Sequence, residues 1–259
     1  MPKPVLGRFS YPTSLAQLVR GRGYNSELVG FLLPFARQDF IYEEDDFTSD
    51  TLDGTKWDLG TDAGATAFAA GSLEGGTIRG QTAATDNNQI QIRWARTIFD
   101  AARNPGAEIR AKIDVVSSDG IEAEFGFSDP LTDETLSAVT DVDTPATGNG
   151  ATDLVVLHID GDQTLKTLAL VSVGTTDAAA KTNMPSGALT AATYFRWMVQ
   201  VFANKGFAVI NNDFVNNSAS VATGPDTGVL MRPHFTVATL AAADKIVDVD
   251  YIRIWAERN

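Results

Sequence analysis

Two carboxylates stand one residue apart in the segment Ile121-Glu-Ala-Glu-Phe-Gly-Phe127. Alternate side chains of a strand share a face. Glu122 and Glu124 would therefore lie side by side, with Cα atoms about 6.5 Å apart. Neighbouring carboxyl groups are raw material for acid/base chemistry. The next position on that face is Gly126, and the one before Glu122 is Gly120. Neither offers a further carboxylate, so the pair reads first as a solvated or interface-facing strip. His158 in Val-Val-Leu-His-Ile-Asp and His234 in Arg-Pro-His-Phe-Thr lie in β-patterned runs and read as structural residues. No serine occupies a nucleophile-elbow frame. Gly21-Arg-Gly23 is not a phosphate loop, because no strand precedes it and no Gly-Lys-Ser/Thr follows.

The elements that must position these residues are strands. From residue 45 onward, alternation of period 2 recurs. Ile90, Ile92 and Trp94 fall on one face of their run. Ile109, Ala111, Ile113 and Val115 point inward, opposite Glu108, Arg110, Lys112 and Asp114. Ile121, Ala123, Phe125 and Phe127 oppose Glu122 and Glu124. Turn signals separate the runs: Asn104-Pro-Gly, Ser118-Asp-Gly, Gly161-Asp, Asn204-Lys-Gly and Asn211-Asn-Asp. The segment from Val201 to Val215 predicts a hairpin. At least nine antiparallel strands, with few credible helices, predict an all-β sandwich or jelly roll. Residues 129–153 form a long acidic loop, and loops of that length are usually functional, interface-forming or mobile. In the last strand, Val247, Val249, Tyr251 and Arg253 alternate with Asp248, Asp250, Ile252 and Ile254. Its apolar content is split between faces, as expected of a strand covered on both sides for part of its length.

The chain has 259 residues, no cysteine, two histidines and a formal charge of −13. Disulfides and thiolate metal sites are excluded, and a multi-histidine zinc site is disfavoured. The acidic balance argues against nucleic-acid binding through phosphate neutralisation. No apolar run approaches the roughly 20 residues of a membrane span. The start lacks the unbroken apolar core of a secretory signal, which predicts a protein made and folded in a cytosol. Residues 1–40 differ from the rest: five basic and two acidic residues make them +3, leaving −16 for the remainder. They also carry many large apolar groups, too many for a solvated tail. The reading is an arm, residues 1–44, that binds a partner or sister subunit through Arg8, Phe9, Tyr11, Leu18, Arg20, Arg22, Tyr24, Phe31, Phe35 and Arg37. The plainer alternative is an arm packed on its own domain.

The segment Asp45–Leu59, DDFTSDTLDGTKWDL, resembles the opening of concanavalin-A-like jelly rolls, in particular the family 16 glycoside hydrolases. Val247–Glu257, VDVDYIRIWAE, resembles the closing strand of the same group. The resemblance covers roughly residues 45–257 and implies a concanavalin-A-like jelly-roll sandwich over residues 45–259. The family's catalytic strand reads E-x-D-x-E, with nucleophile and acid/base carboxyls about 5–5.5 Å apart. Gly126 stands where the second catalytic carboxylate belongs, so the resemblance implies a scaffold without hydrolysis. A degenerate sugar site would use Trp94, Glu122, Glu124 and Trp197, although large-domain tryptophans are more often core. Calcium, held in such folds by aspartates near the first and last strands, would use Asp45, Asp46 and Asp250. Simple surface carboxylates are the plainer reading.

The chain is also similar to lectin-like jelly rolls encoded beside the structural genes of tailed bacteriophages. With the arm, the acidic body and the missing carboxylate, that similarity leads to an expectation of a non-enzymatic virion protein. It would be a capsid decoration or cement protein, a trimer or another homo-oligomer, made in the host cytoplasm and bound to the major capsid protein or another virion protein. The alternative is a carbohydrate-binding, lectin-like module for surface or receptor adhesion, with glycans as partners. A degenerate or active β-glucanase comes third.

Overall fold

A computed structural model describes residues 40–258, apart from residues 50, 71–75, 115–119, 132–136, 142–145, 148–149, 162–167, 176, 185–188, 203–205 and 213–214. The arm residues Arg8 to Arg37 lie outside the described residues. In chain order the strands are β1 (Phe40–Asp45), β2 (Trp57–Thr61), β3 (Thr66–Ala70), β4 (Ile78–Gln81), β5 (Asn88–Trp94) and β6 (Phe99–Asp100). Next come β7 (Gly106–Ile113), β8 (Ile121–Ser128), β9 (Val139–Asp141), β10 (Ala146–Thr147), β11 (Leu154–Asp160) and β12 (Ala169–Gly174). The last are β13 (Asp177–Asn183), β14 (Phe195–Val201), β15 (Gly206–Asn212), β16 (Val215–Ser220), β17 (Leu230–Thr239) and β18 (Ile246–Glu257). The sequence boundary at residue 45 falls late, because β1 already pairs with β18 from Phe40.

Two antiparallel sheets of eight strands form a sandwich. The first runs β16-β15-β14-β7-β18-β4-β3, with β1 also on β18. The second runs β13-β12-β11-β8-β17-β5-β2, with β6 on β17. The expected hairpin is β14 and β15, in register from Arg196–Asn211 to Val201–Gly206. Side chains that alternation sends inward meet between the sheets. Ile109, Ala111 and Ile113 of β7 share the core with Ala123, Phe125 and Phe127 of β8. Removing one of the isoleucines or phenylalanines from water contributes roughly 1.5–3 kcal/mol.

The closing strand departs from simple alternation. Val249 pairs with Ala111 and Tyr251 with Arg110, so Asp250 is an extra residue, a β-bulge against β7. A bulge moves every later side chain to the other face. Val247 and Val249 therefore enter the core before it, and Ile252, Ile254 and Ala256 after it. Apolar groups that appear divided between two faces all reach one interior. On the opposite face, Trp255 packs against Gly106 of β7, where a Cβ would come within 2.3 Å of its ring.

The acidic segment 129–153 is also built into the fold. It carries the short antiparallel pair β9–β10. It lays Leu131, Ala138, Val139 and Ala151 on the outer face of the second sheet, over residues such as Val156 and Val171. Asp129 and Asp153 clasp its base: Asp129 N–H donates to Asp153 O at 2.9 Å, and Thr152 Oγ1 donates to Asp129 Oδ2 at 2.8 Å. A second small core thus forms outside the sandwich.

Candidate functional site

The outer face of the second sheet divides by chemistry. Over β11 and β12 it is apolar and covered by the 129–153 segment. Over β8, β17, β5 and β2, alternation presents polar side chains instead, and register aligns them. Asp58 pairs with Arg93, and Arg93 with His234. One step along, Gln91 pairs with Thr236, Thr236 with Glu124, and Glu124 with His158.

Glu124 sits at the seam between the two halves and is wholly buried. Its two oxygens accept four hydrogen bonds. Oε1 takes the Ala138 amide at 2.9 Å and His234 Nε2 at 2.6 Å. Oε2 takes the Val139 amide at 2.9 Å and His158 Nδ1 at 3.2 Å. The carboxylate can only accept, so each imidazole presents a protonated nitrogen to it. Burial pushes the Glu124 carboxyl up, but the two histidines outweigh burial and hold it far below the usual carboxylate range. Burial pulls His158 down, yet Glu124 and then Glu122 favour its imidazolium and leave its pKa raised. Glu122 is partly exposed, 3.9 Å from His158 Nε2.

The expectation of a solvated glutamate strip is therefore wrong for Glu124. The 137–139 segment lies over it, and charge-assisted hydrogen bonds to roof and floor stabilise it there. With every lone pair engaged, Glu124 pins the roof to the sheet. Gly126 completes the row: a Cβ there would come within 2.1 Å of Val155 O. Ser128, His234 and Glu124 stand in the order nucleophile, base and orienting acid. The serine is 2% exposed, however, and its Oγ is 3.4 Å from His234 Nδ1.

Beyond the pin, polar groups lead outward. Gln91 Nε2 donates to Thr236 Oγ1 at 2.7 Å, and Arg93 Nη1 donates to Gln91 Oε1 at 2.9 Å. At the rim, Arg93 and Arg232 approach the same carboxylate, Asp58, at 3.9 and 3.8 Å. Burial lowers both guanidinium pKa values, and Arg93 lowers that of Arg232 further. The Asp58 side chain is 43% exposed, so the rim opens to solvent.

The other residues singled out from sequence lie apart. Trp94 and Trp197 are buried and cannot act as sugar platforms. Trp94 packs edge-on against Trp57 at 5.1 Å, and Trp197 is tilted against Phe195 at 4.6 Å. Each stands at a position that alternation sends inward. Asp45 accepts from Phe47 N–H at 3.0 Å and Trp57 Nε1 at 2.8 Å. Asp46 accepts from Thr48 Oγ1 at 3.0 Å, and Asp250 at the bulge is paired with Arg110. Among the described residues, no three His, Cys, Asp or Glu gather as a metal site. The reading of residue types missed Arg93, Arg232, Asp58, Gln91 and Thr236. Their signal was available in part: they alternate with the apolar residues of β5, β17 and β2.

No family model matches the chain, and no curated protein matches it significantly. Solved structures do. Lectin II from Ulex europaeus aligns with TM-score 0.58 at 12% identity, covering 85% of this chain and 100% of its own. The fold is a concanavalin-A-like jelly roll. Peanut lectin aligns with TM-score 0.55 at 11% identity, over 84% of this chain and 97% of its own. A pseudo β-1,3-glucanase of Mycobacterium tuberculosis, an immunostimulatory antigen, aligns with TM-score 0.54 at 12% identity, over 83% and 98%. At such identities the likeness is one of fold. As in any jelly roll, chemistry depends on the side chains that the sheet faces carry.

Proposed function

We propose that this protein is a carbohydrate-binding, lectin-like module that holds glycans without hydrolysing them, at the Asp58–Arg93–Arg232 rim of the second sheet. The observation that carries this reading is the polar row across β2, β5, β17 and β8. A sheet face that ends in an exposed carboxylate and two guanidinium groups has donors and acceptors suited to sugar hydroxyls. Structural likeness to lectins and to a pseudo-glucanase supports the same reading. The carboxylates support binding without turnover: Glu124 is buried and fully hydrogen-bonded, and the next position on its face of the strand is Gly126. Two-carboxylate glycoside hydrolysis needs both groups at the sugar.

The virion decoration reading rests on the arm, whose Arg8 to Arg37 lie outside the described residues. So do the capsid and subunit contacts expected of it, and no described feature adds to that reading. A glycan array probed with the full chain, with and without Ca²⁺, tests the proposal. Hits are expected, alongside no new reducing ends from β-glucans. An array without a hit overturns the binding reading, and turnover overturns its non-enzymatic part.

A further inference from the structure

We infer that the glycans held at this rim carry acetyl groups, whose methyl carbons rest on Ile98 and Leu230 while a ring hydroxyl donates to Asp58. The inference rests on the carbohydrate-binding reading and names the substrate class of the same site. Ile98 and Leu230, at 42% and 48% exposure, are two of the three large apolar side chains that stand exposed among the described residues. Both adjoin the rim. β6 pairs with β17 through Phe99–Met231 and Asp100–Leu230. Ile98 N–H donates to Met231 O at 3.1 Å, so the chain entering β6 runs beside that part of β17. Phe99 and Met231 enter the core. Alternation therefore turns Ile98 and Leu230 to the outer face, which Arg232 shares. Leu230 precedes Arg232 by two residues, about 6.5 Å along the strand. The Arg232 side chain then spans from this apolar pair to Asp58, its Nη1 3.8 Å from Oδ2.

Asp58 is the acceptor at the other end. The two arginines approach it at 3.9 and 3.8 Å, beyond hydrogen-bonding distance. No described residue donates a hydrogen bond to its carboxylate, which is open to donors from solution. A carboxylate accepts from a sugar hydroxyl in a charge-assisted bond. Hydroxyls alone would leave the apolar pair in water, and an apolar substituent on the sugar removes it. The charge of the site selects a neutral substituent, because an acidic sugar meets Asp58 and a chain at −13. The separation of the two ends selects acetyl. It carries its methyl off the ring on a planar arm, whereas the methyl of a deoxy sugar is fixed to the ring itself.

Two uncharged pairs test this by calorimetry with the full chain: chitotetraose against cellotetraose, and an O-acetylated mannan oligomer against the same oligomer after alkaline deacetylation. The first pair reads N-acetyl groups and the second O-acetyl groups. At least one acetylated member should bind about fourfold or more above its counterpart, the worth of burying one carbon. Ile98→Ser and Leu230→Ser should each lower that ratio. The double variant should bring it to about one, with the affinity of the unacetylated member unchanged. Asp58→Asn should weaken both members alike, by about fivefold, as a charge-assisted bond becomes a neutral one. Equal binding within both pairs overturns the inference. So does a preference that survives in the double variant, or an Asp58→Asn variant that weakens neither member. If glycans bind without regard to acetylation, this inference fails while the lectin-like reading stands. If neither these probes nor any glycan on the array binds, that reading itself fails.

Discussion

Removing the Glu124 carboxylate should release the roof of the second sheet. In Glu124→Ala, the amides of Ala138 and Val139 and the ring N–H groups of His158 and His234 all lose their acceptor. Each stranded buried donor costs about 1–3 kcal/mol. Against that sum stands the cost of keeping a charge in the interior, which the variant no longer bears. Breaking a buried charge pair by deleting one partner costs about 3–5 kcal/mol, and we expect that range here. The loss should be local first. The roof is fastened by these bonds and by the small cluster of Leu131, Ala138, Val139 and Ala151.

Urea denaturation gives the global figure, and hydrogen exchange of the Ala138 and Val139 amides gives the local one. The pH dependence has a definite sign. Glu124 has a folded pKa depressed below its unfolded value of about 4.3. Its contribution is therefore present above about pH 4.3 and disappears as pH falls toward the folded value. His158 has a raised folded pKa, so its share is complete below about pH 6.5 and is lost as pH climbs through the folded value. The stability gap between wild type and Glu124→Ala should be widest between about pH 4.3 and 6.5. A variant within about 1 kcal/mol of wild type, with both amides equally protected, would refute the pin.

Two further outcomes follow from the same sheets. Gly126→Glu should restore the third position of the carboxylate row yet yield no β-glucan turnover. It should also cost about 1–3 kcal/mol in urea, because its Cβ must displace the Val155 carbonyl from 2.1 Å; full stability or new reducing ends would contradict this. Asp248→Asn on β18 should cost about 1 kcal/mol. Arg79 Nε at 2.6 Å and Lys112 at 2.8 Å pair with this buried carboxylate, but at 44% and 26% exposure both cations can turn to water. Burial raises the Asp248 carboxyl, while those two cations outweigh it and lower it overall. The wild-type advantage should therefore be present above about pH 3.9 and fade as the solution is acidified; a pH-independent gap would count against the ion pairs.

Much of the fold is legible in the residues themselves. Alternation marks Ile109, Ala111 and Ile113 as inward, and Ile121 to Phe127 likewise, because the side-chain period of a strand is a local property. The hairpin of β14 and β15 is announced by its turn residues. The site is less legible. Glu124 looks like any outward glutamate, and nothing near it in sequence states that the segment after residue 136 will lie over it. The bulge at Asp250 also escapes the pattern, because a one-residue insertion is defined only against the partner strand. Trp94 and Trp197 show the converse: residue type suggested a sugar platform, and packing between the sheets placed both indoles in the core.

By itself, then, the sequence determined which side of strands such as β7 and β8 faces the interior, the all-β character of the domain, and the missing third carboxylate at Gly126. Tertiary structure alone decided that Glu124 meets His158 and His234, 34 and 110 residues away, and that Arg93 and Arg232 meet at Asp58. The physical reason is that alternation is set by the backbone within a few residues. Burial, ionisation and hydrogen-bond partners are set instead by the register between strands distant in sequence and by what folds back over them.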